Sequence, residues 1–289
     1  MVKSQRLPYL YFFPVLVLFS IFFIYPFFYS IYISFNHWNL LTGDTYFVGL
    51  ENYRRLFGDS VFWRSIRNTL RYVMIQMPLS VVLGLLYAMV IESTDRTKAL
   101  YRMIFFIPVV ISISASSLSF FTIFNTMHGP INQFLRIFSI TEPNWLNSPR
   151  WALRSIMIVG VWQSFGYNVI LYMSGLKQID KQLYEAADLD GASVIQKLTK
   201  ITLPALSPVT FFVVVITTLF SFQVFATVQI MTQGGPTNSS SVWVYYIWRE
   251  AFRYLETGTA SAAASILFAT MLFITFIMVR FVQRKVFYQ

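Results

Sequence analysis

Two groups of polar side chains stand inside long apolar runs at helical spacing. Gln163 and Tyr167 are one turn apart, with Trp162, Ser164 and Asn168 beside them; Thr217 and Ser221 are one turn apart, followed by Gln223 and Phe225. Residues three or four apart share a helix face, so each group offers amide or hydroxyl hydrogen bonds beside aromatic rings. That chemistry holds a polyhydroxylated solute, whose buried hydroxyls must be paired and whose C–H faces stack on rings. The same residue types also tie neighbouring spans together, and both readings stand on the sequence.

Other chemistry is missing. Arg71 and Arg154 stand near the starts of their apolar runs, and the run interiors otherwise hold no Asp, Glu, Lys, Arg or His. Ionisable groups in a bilayer mark proton relays and ion paths. Their absence argues against a proton-driven carrier and leaves sodium coupling through backbone carbonyls open. Without an intramembrane carboxylate or His cluster there is no general base or metal site for a membrane-embedded enzyme. Cysteine is absent, which removes disulfides, thiolate metal sites and thiol nucleophiles. No G-x-x-x-x-G-K-[ST] phosphate loop occurs. If ATP drives this protein, another chain binds it.

The elements that must position these groups follow from composition. Of 289 residues, 56% are hydrophobic, 19% aromatic and only 12% charged. A helix needs about 20 apolar residues to cross a bilayer core of roughly 30 Å. Six spans are predicted: 7–35, 69–91, 103–127, 151–175, 206–231 and 259–279. Pro14 and Pro26 predict a tilt or kink in the first. Lys3 and Arg6 before it mimic a signal peptide, but the run is too long and lacks a small-x-small cleavage site, so it is read as a retained span. Short connections make residues 1–289 a single all-α domain.

The net charge of +10 comes from Lys and Arg lying mainly between the runs, where lipid headgroups are nearer than nucleic acid. With both termini cytoplasmic, Lys3, Lys98, Lys177, Lys181, Lys197, Lys200 and Lys285 fall inside, whereas Arg54, Arg55, Arg64 and Arg67 are among the arginines that fall outside. The summed bias is slight.

A polar stretch, "LYEAADLDGASVIQKLTKITLPALSP" from Leu183 to Pro208, interrupts the apolar pattern. Leu183, Tyr184 and Ala187 gather on one side of a short helix over 181–188, with Glu185 and Asp188 elsewhere. Gly191 breaks it, and Asp190 is expected to cap the next start. A second helix over 192–200 carries Val194, Leu198 and Ile201 on one stripe until Pro204 ends it. By periodicity alone this is an amphipathic loop on headgroups or a helix-turn-helix handle for a partner.

Glu185, Ala186, Ala187, Asp190, Gly191, Ala192, Ile201, Leu203 and Pro204 resemble the EAA loop of membrane subunits of binding-protein-dependent ABC importers. The resemblance implies a type I importer permease, a polytopic membrane protein with six transmembrane helices and a cytoplasmic coupling loop at about 177–204. It also implies that Glu185, Ala186, Ala187, Asp190, Gly191, Ala192, Leu198 and Pro204 dock on a cytoplasmic ATPase. The family commonly has proline at Asp180 and phenylalanine at Leu198; Asp180 can still cap the helix and Leu198 keeps the apolar stripe.

Pro8-Tyr9-Leu10 with Pro14, "VGLENYRRLF" (48–57), "TQGGP" (232–236) and "RFVQRKVFYQ" (280–289) resemble the first of two partner permeases of maltose- and glycerol-phosphate-type importers. By themselves, GLENYRRLF is an interfacial helix with aromatic anchors and GGP a turn. The implied partners are a second six-span permease, a cytoplasmic ATPase dimer, an external solute-binding protein and membrane lipid, with no nucleic acid. ATP and Mg belong to the ATPase, and this chain binds no cofactor and is no enzyme. The implied location is the bacterial or archaeal cell membrane. The resemblance also points to Gln163, Ser164, Tyr167, Asn168, Thr217, Ser221, Gln223 and Phe225 as a sugar path. Without a mid-span cation, a neutral sugar is favoured over glycerol-3-phosphate, unless the partner supplies the charge. An ion-coupled carrier and a non-transporting scaffold are the competing readings.

Overall fold

A computed structural model describes residues 7–38, 42–92 and 98–282. Lys3, Arg6 and the closing 283–289, Lys285 included, lie outside them. The first span is built from α1 (Leu7–Phe19), a π-helical stretch (Ser20–Ile24) and α2 (Tyr25–Ser34). Proline supplies no N–H, and its ring presses on the carbonyl four residues back. Immediately before Pro26, the Tyr25 N–H reaches five residues back to Ser20 O, and this wider turn accommodates the ring.

The chain is helical as expected, with one short pair of strands among the described residues. An antiparallel hairpin pairs β1 (Asn36–Trp38) with β2 (Thr45–Phe47), Asn36 opposite Phe47. Three-residue strands carry too little alternation to be legible as a pattern. Next comes α3 (Glu51–Gly58), the GLENYRRLF helix. Its buried Asn52 donates to Ser34 O and Asn36 O, both at 2.9 Å, and Tyr53 OH lies 2.8 Å from Ser34 Oγ. A buried amide, besides aromatic anchoring, therefore holds it.

The second span, α4 (Ser60–Glu92), begins at Ser60 rather than Thr69, where Asp59 Oδ1 accepts the Val61 N–H at 2.8 Å. Its 33 residues extend about 50 Å at 1.5 Å per residue, enough to carry Arg64 and Arg67 beyond the apolar zone. The third span is not one rod. It is α5 (Lys98–Val110) and α6 (Ile113–Ile123), bent by 105° at a break where Ser112 Oγ accepts the Ala115 N–H and caps α6. Pro108 weakens α5 just before the break. Then follow the amphipathic α7 (Pro130–Ile137) and the fourth span, α8 (Ala152–Leu176).

The polar loop forms α9 (Lys181–Leu189) and α10 (Val194–Lys197), a π-helical stretch (Leu198–Thr202) and the single turn α11 (Leu203–Ala205). Pro204 does not end the helix. The Leu203 N–H bonds Leu198 O five residues back, as before Pro26, and the helical path continues through the proline. The fifth span is α12 (Ser207–Phe222) and α13 (Ala226–Met231), and α14 (Trp243–Trp248) precedes the sixth, α15 (Thr257–Ile277). Among the described residues, five helical segments are long and apolar enough to cross a bilayer, and the bent pair makes a sixth.

Contacts gather the chain into two compact units, Met1–Phe62 with Tyr246–Ala269, and Trp63–Tyr245 with Thr270–Gln289. In the first, Tyr246 OH donates to Asp59 Oδ2 at 2.8 Å, and Arg249 pairs with Glu250 at 3.5 Å while lying over Tyr246 and Tyr254. In the second, Ala88, Ile91, Val169, Tyr172, Leu206 and Val213 form a buried core joining α4, α8 and α12. The TQGGP turn, with Gly234 at φ +74°, is held to α4 by Arg64 on Thr237 O (2.6 Å) and Asn68 on Ser241 O (2.9 Å).

Candidate functional site

Both candidate sites lie in the second unit. Gln163, Ser164, Tyr167 and Asn168 of α8, Thr217 and Ser221 of α12, and Gln223 just beyond it line one cavity of about 390 Å³. Phe225 is not in that lining; it sits in the break between α12 and α13. The cavity wall also takes Pro108, Val109 and Ile113 from either side of the bent pair. Irregular backbone at membrane depth is tolerated where it lines a cavity or is buried in protein, which suits a bend at this place.

Tyr72, Gln76 and Thr227 also line the cavity, and sequence reasoning missed them. A signal existed: Gln76 is the one glutamine in the 69–91 run, a turn from Tyr72. The Gln76 side chain is buried at the centre of a network, donating to Ser164 Oγ at 2.8 Å and Gly160 O at 3.2 Å and accepting from Ser221 Oγ. Thr217 Oγ1 donates to Asn168 Oδ1 at 3.1 Å. Gln76, Ser164, Ser221 and Thr217 thus spend hydrogen bonds on joining α4, α8 and α12, the tying role. Asn168 keeps a buried Nδ2 with no hydrogen-bond partner, whereas Tyr167 and Gln223 are exposed. An unpaired buried donor costs about 1–3 kcal/mol, so a hydroxylated solute bonding Asn168 would recover free energy.

The loop is a compact helix-turn-helix. Asp180 caps α9 by accepting the Gln182 N–H at 2.9 Å. Glu185 and Ala186 are exposed and Ala187 half-buried. The helix closes with Gly191 N–H on Asp188 O (3.1 Å) and Ala192 N–H on Ala187 O (2.9 Å), a paired termination requiring the φ of +71° found at Gly191. Asp190 closes α9 and does not cap α10. That cap is Ser193, in a reciprocal box with Gln196. Lys197 pairs with Asp188 across the turn. Leu198 is half-buried, Ile201 packs on the core, and Pro204 is half-buried at the base. Leu189, Val194 and Ile195 are 90%, 80% and 72% exposed, an apolar tip that the stripe assignment for Val194 did not foresee. Leu189, between Asp188 and Asp190, is off the side of Leu183 and Ala187 that the sequence reading followed.

A bundle of apolar spans around a neutral polar cavity, with a rigid loop projecting from it, defines a solute permease. The chain belongs to the family of binding-protein-dependent transport system inner membrane components, matched over residues 4–288. It is 35% identical to the probable ABC transporter permease protein YurN of Bacillus subtilis over 283 residues, 96% of this chain and 97% of that protein. It is 33% identical to the lactose transport system permease protein LacF of Rhizobium radiobacter over 265 residues, 89% of this chain and 87% of that one. Its fold matches a chain in the crystal structure of a bacterial alginate ABC transporter bound to an alginate-loaded periplasmic protein, with a TM-score of 0.86 at 24% identity, over 98% of this chain and 96% of that one. The protein is therefore a multi-pass membrane permease subunit of an ABC transporter, the non-enzymatic component.

Proposed function

We propose that this chain is one of two paired permeases of an ATP-driven importer for a neutral mono- or oligosaccharide, delivered by an external solute-binding protein. The observation that carries the reading is the cavity, whose lining gathers amides, hydroxyls and aromatic rings with no charged side chain. Uncharged hydrogen-bonding groups suit uncharged hydroxyls, since a phosphate desolvated there would lack a cation. Gln163, Tyr167, Gln223 and the unpaired Asn168 amide meet the solute, while Gln76, Ser221 and Thr217 hold them in place. The lactose named for one relative agrees with a neutral cargo. Glycerol-3-phosphate remains the second reading, with its cation supplied by the partner permease.

Both termini and the 177–204 loop face the cytoplasm, where Glu185, Ala186, Ala187, Asp190, Gly191, Ala192, Leu198 and Pro204 seat the loop on an ATPase dimer. ATP and Mg²⁺ bind to that dimer. Its closure pushes the loop, and the spans switch access between two arrangements. Glu185→Lys reverses the charge offered to the partner. Gly191→Pro forces φ from +71° to about −65° and breaks the turn. Each is expected to abolish sugar uptake in cells at unchanged membrane levels, and normal uptake in both would refute the coupling role. Uptake driven by an ion gradient in vesicles containing this chain alone would instead establish the carrier reading.

A further inference from the structure

A second cavity, of about 510 Å³, lies between α5 and α8 and shares no lining residue with the solute cavity. Its wall is apolar, with Met103 and Phe105 on α5 and Ile170 and Met173 on α8, except at one end, where Ser174 and Lys177 stand. Met103 is 61% and Ile170 37% exposed, so the groove opens sideways from the helices. Its lining along α8 runs from Gly166 to Lys177. Along α8, Gly166 to Lys177 covers about 16 Å at 1.5 Å per residue, close to half of a roughly 30 Å hydrocarbon core. Lys177 follows directly on the last residue of a membrane-spanning segment, so it sits at headgroup level whichever way the chain is inserted. Among the described residues no carboxylate lies within ion-pair distance of it.

We propose that this groove seats one anionic phospholipid, with an acyl chain along Ile170 and Met173 and the phosphate on the Lys177 ammonium. A sugar would find one hydroxyl there and too few partners. Water would not fill an apolar wall. The occupant must be as long as one leaflet, apolar for most of that length and negative at one end, and a membrane phospholipid meets all three conditions. The inference rests on the chain crossing a bilayer and is independent of the coupling reading.

The absence of cysteine permits a clean test. The assembled transporter carrying Ser174→Cys, labelled with bimane, is reconstituted in phosphatidylcholine vesicles. Brominated-chain phosphatidylglycerol or brominated-chain phosphatidylcholine is then titrated as quencher. The expected result is a preference of about fivefold for phosphatidylglycerol, falling to near one when Lys177→Gln is added. Equal quenching by the two lipids in the parent, or a preference that survives Lys177→Gln, would overturn the proposal. No quenching by either lipid would also overturn it, since the groove would then be covered by a protein helix.

Discussion

The hydroxyl of Tyr184 in α9 lies 2.8 Å from Thr202 Oγ1, joining the loop's first helix to the segment that leads through Pro204 into α12. Tyr184 also packs against the core that includes Leu206 and Val213. The loop is therefore braced against the span that lines the polar cavity. A neutral hydrogen bond of this kind contributes about 1 kcal/mol, little for stability but enough to loosen a lever. Tyr184→Phe and Thr202→Val are each expected to leave assembly with the ATPase and basal hydrolysis intact while raising the ATP consumed per sugar imported. The double variant should be no worse than either single one. Unchanged coupling ratios in proteoliposomes would show that the bond plays no mechanical part.

Gln76 and Gln163 line the same cavity yet should behave differently. Gln76→Leu removes bonds to Ser164, Gly160 and Ser221 and leaves buried groups unpaired, so a loss of roughly 1–3 kcal/mol in stability is expected. Gln163→Ala cuts no bond of that network; it should keep the melting temperature and raise the sugar concentration for half-maximal uptake. Thermal melting in detergent and uptake kinetics in vesicles separate the two roles.

Gly84 sets the approach of α4 to α8. A Cβ there would stand 2.6 Å from Asn168 Cβ and 3.3 Å from the Asn168 carbonyl carbon, against backbone that cannot turn aside. Gly84→Val should destabilise by about 1–3 kcal/mol and also displace Asn168 from the cavity wall. Loss of both folded yield and uptake is the expected outcome.

Glu250, outside the spans, is 9% exposed beside Arg249. Burial lifts its carboxyl above the usual 4.5; Arg249 pulls it back, while Asp59 and Glu256 raise it further. With the folded value above the unfolded one, the native state holds the proton longer. Stability therefore falls as pH rises from about 4.5 through the raised value and levels beyond it. Glu250→Gln should flatten that slope in melting curves taken between pH 4 and 8.

The spans were legible because twenty apolar residues in a row admit few alternatives. The loop was legible because Asp180, Gly191 and Pro204 punctuate it, although Pro204 proved passable once a wide turn preceded it. The hairpin at Asn36–Trp38 was not, because three residues make no period. The bend between α5 and α6 was also hidden: Pro108 and the serines that begin at Ser112 mark the place, but neither residue type fixes an angle, and the Ser112 cap forms only where the helix has broken. That Gln163, Tyr167, Thr217 and Ser221 line one cavity follows from residues one turn apart on two spans. Gln76 stands out only as the one glutamine of its run; its bonds could not be read, because its partners Ser164 and Ser221 are 88 and 145 residues away and only folding brings them together.

The central claim is that the loop projects into the cytoplasm and touches an ATPase. A single cysteine at Ala186, in a chain that has none, can be treated in intact cells with a membrane-impermeant thiol reagent and then with a short bifunctional cross-linker in membranes. The account requires that the reagent leave it unlabelled from outside and that the cross-linker join it to the ATPase subunit. Labelling from outside, with no cross-link to that subunit, would contradict it.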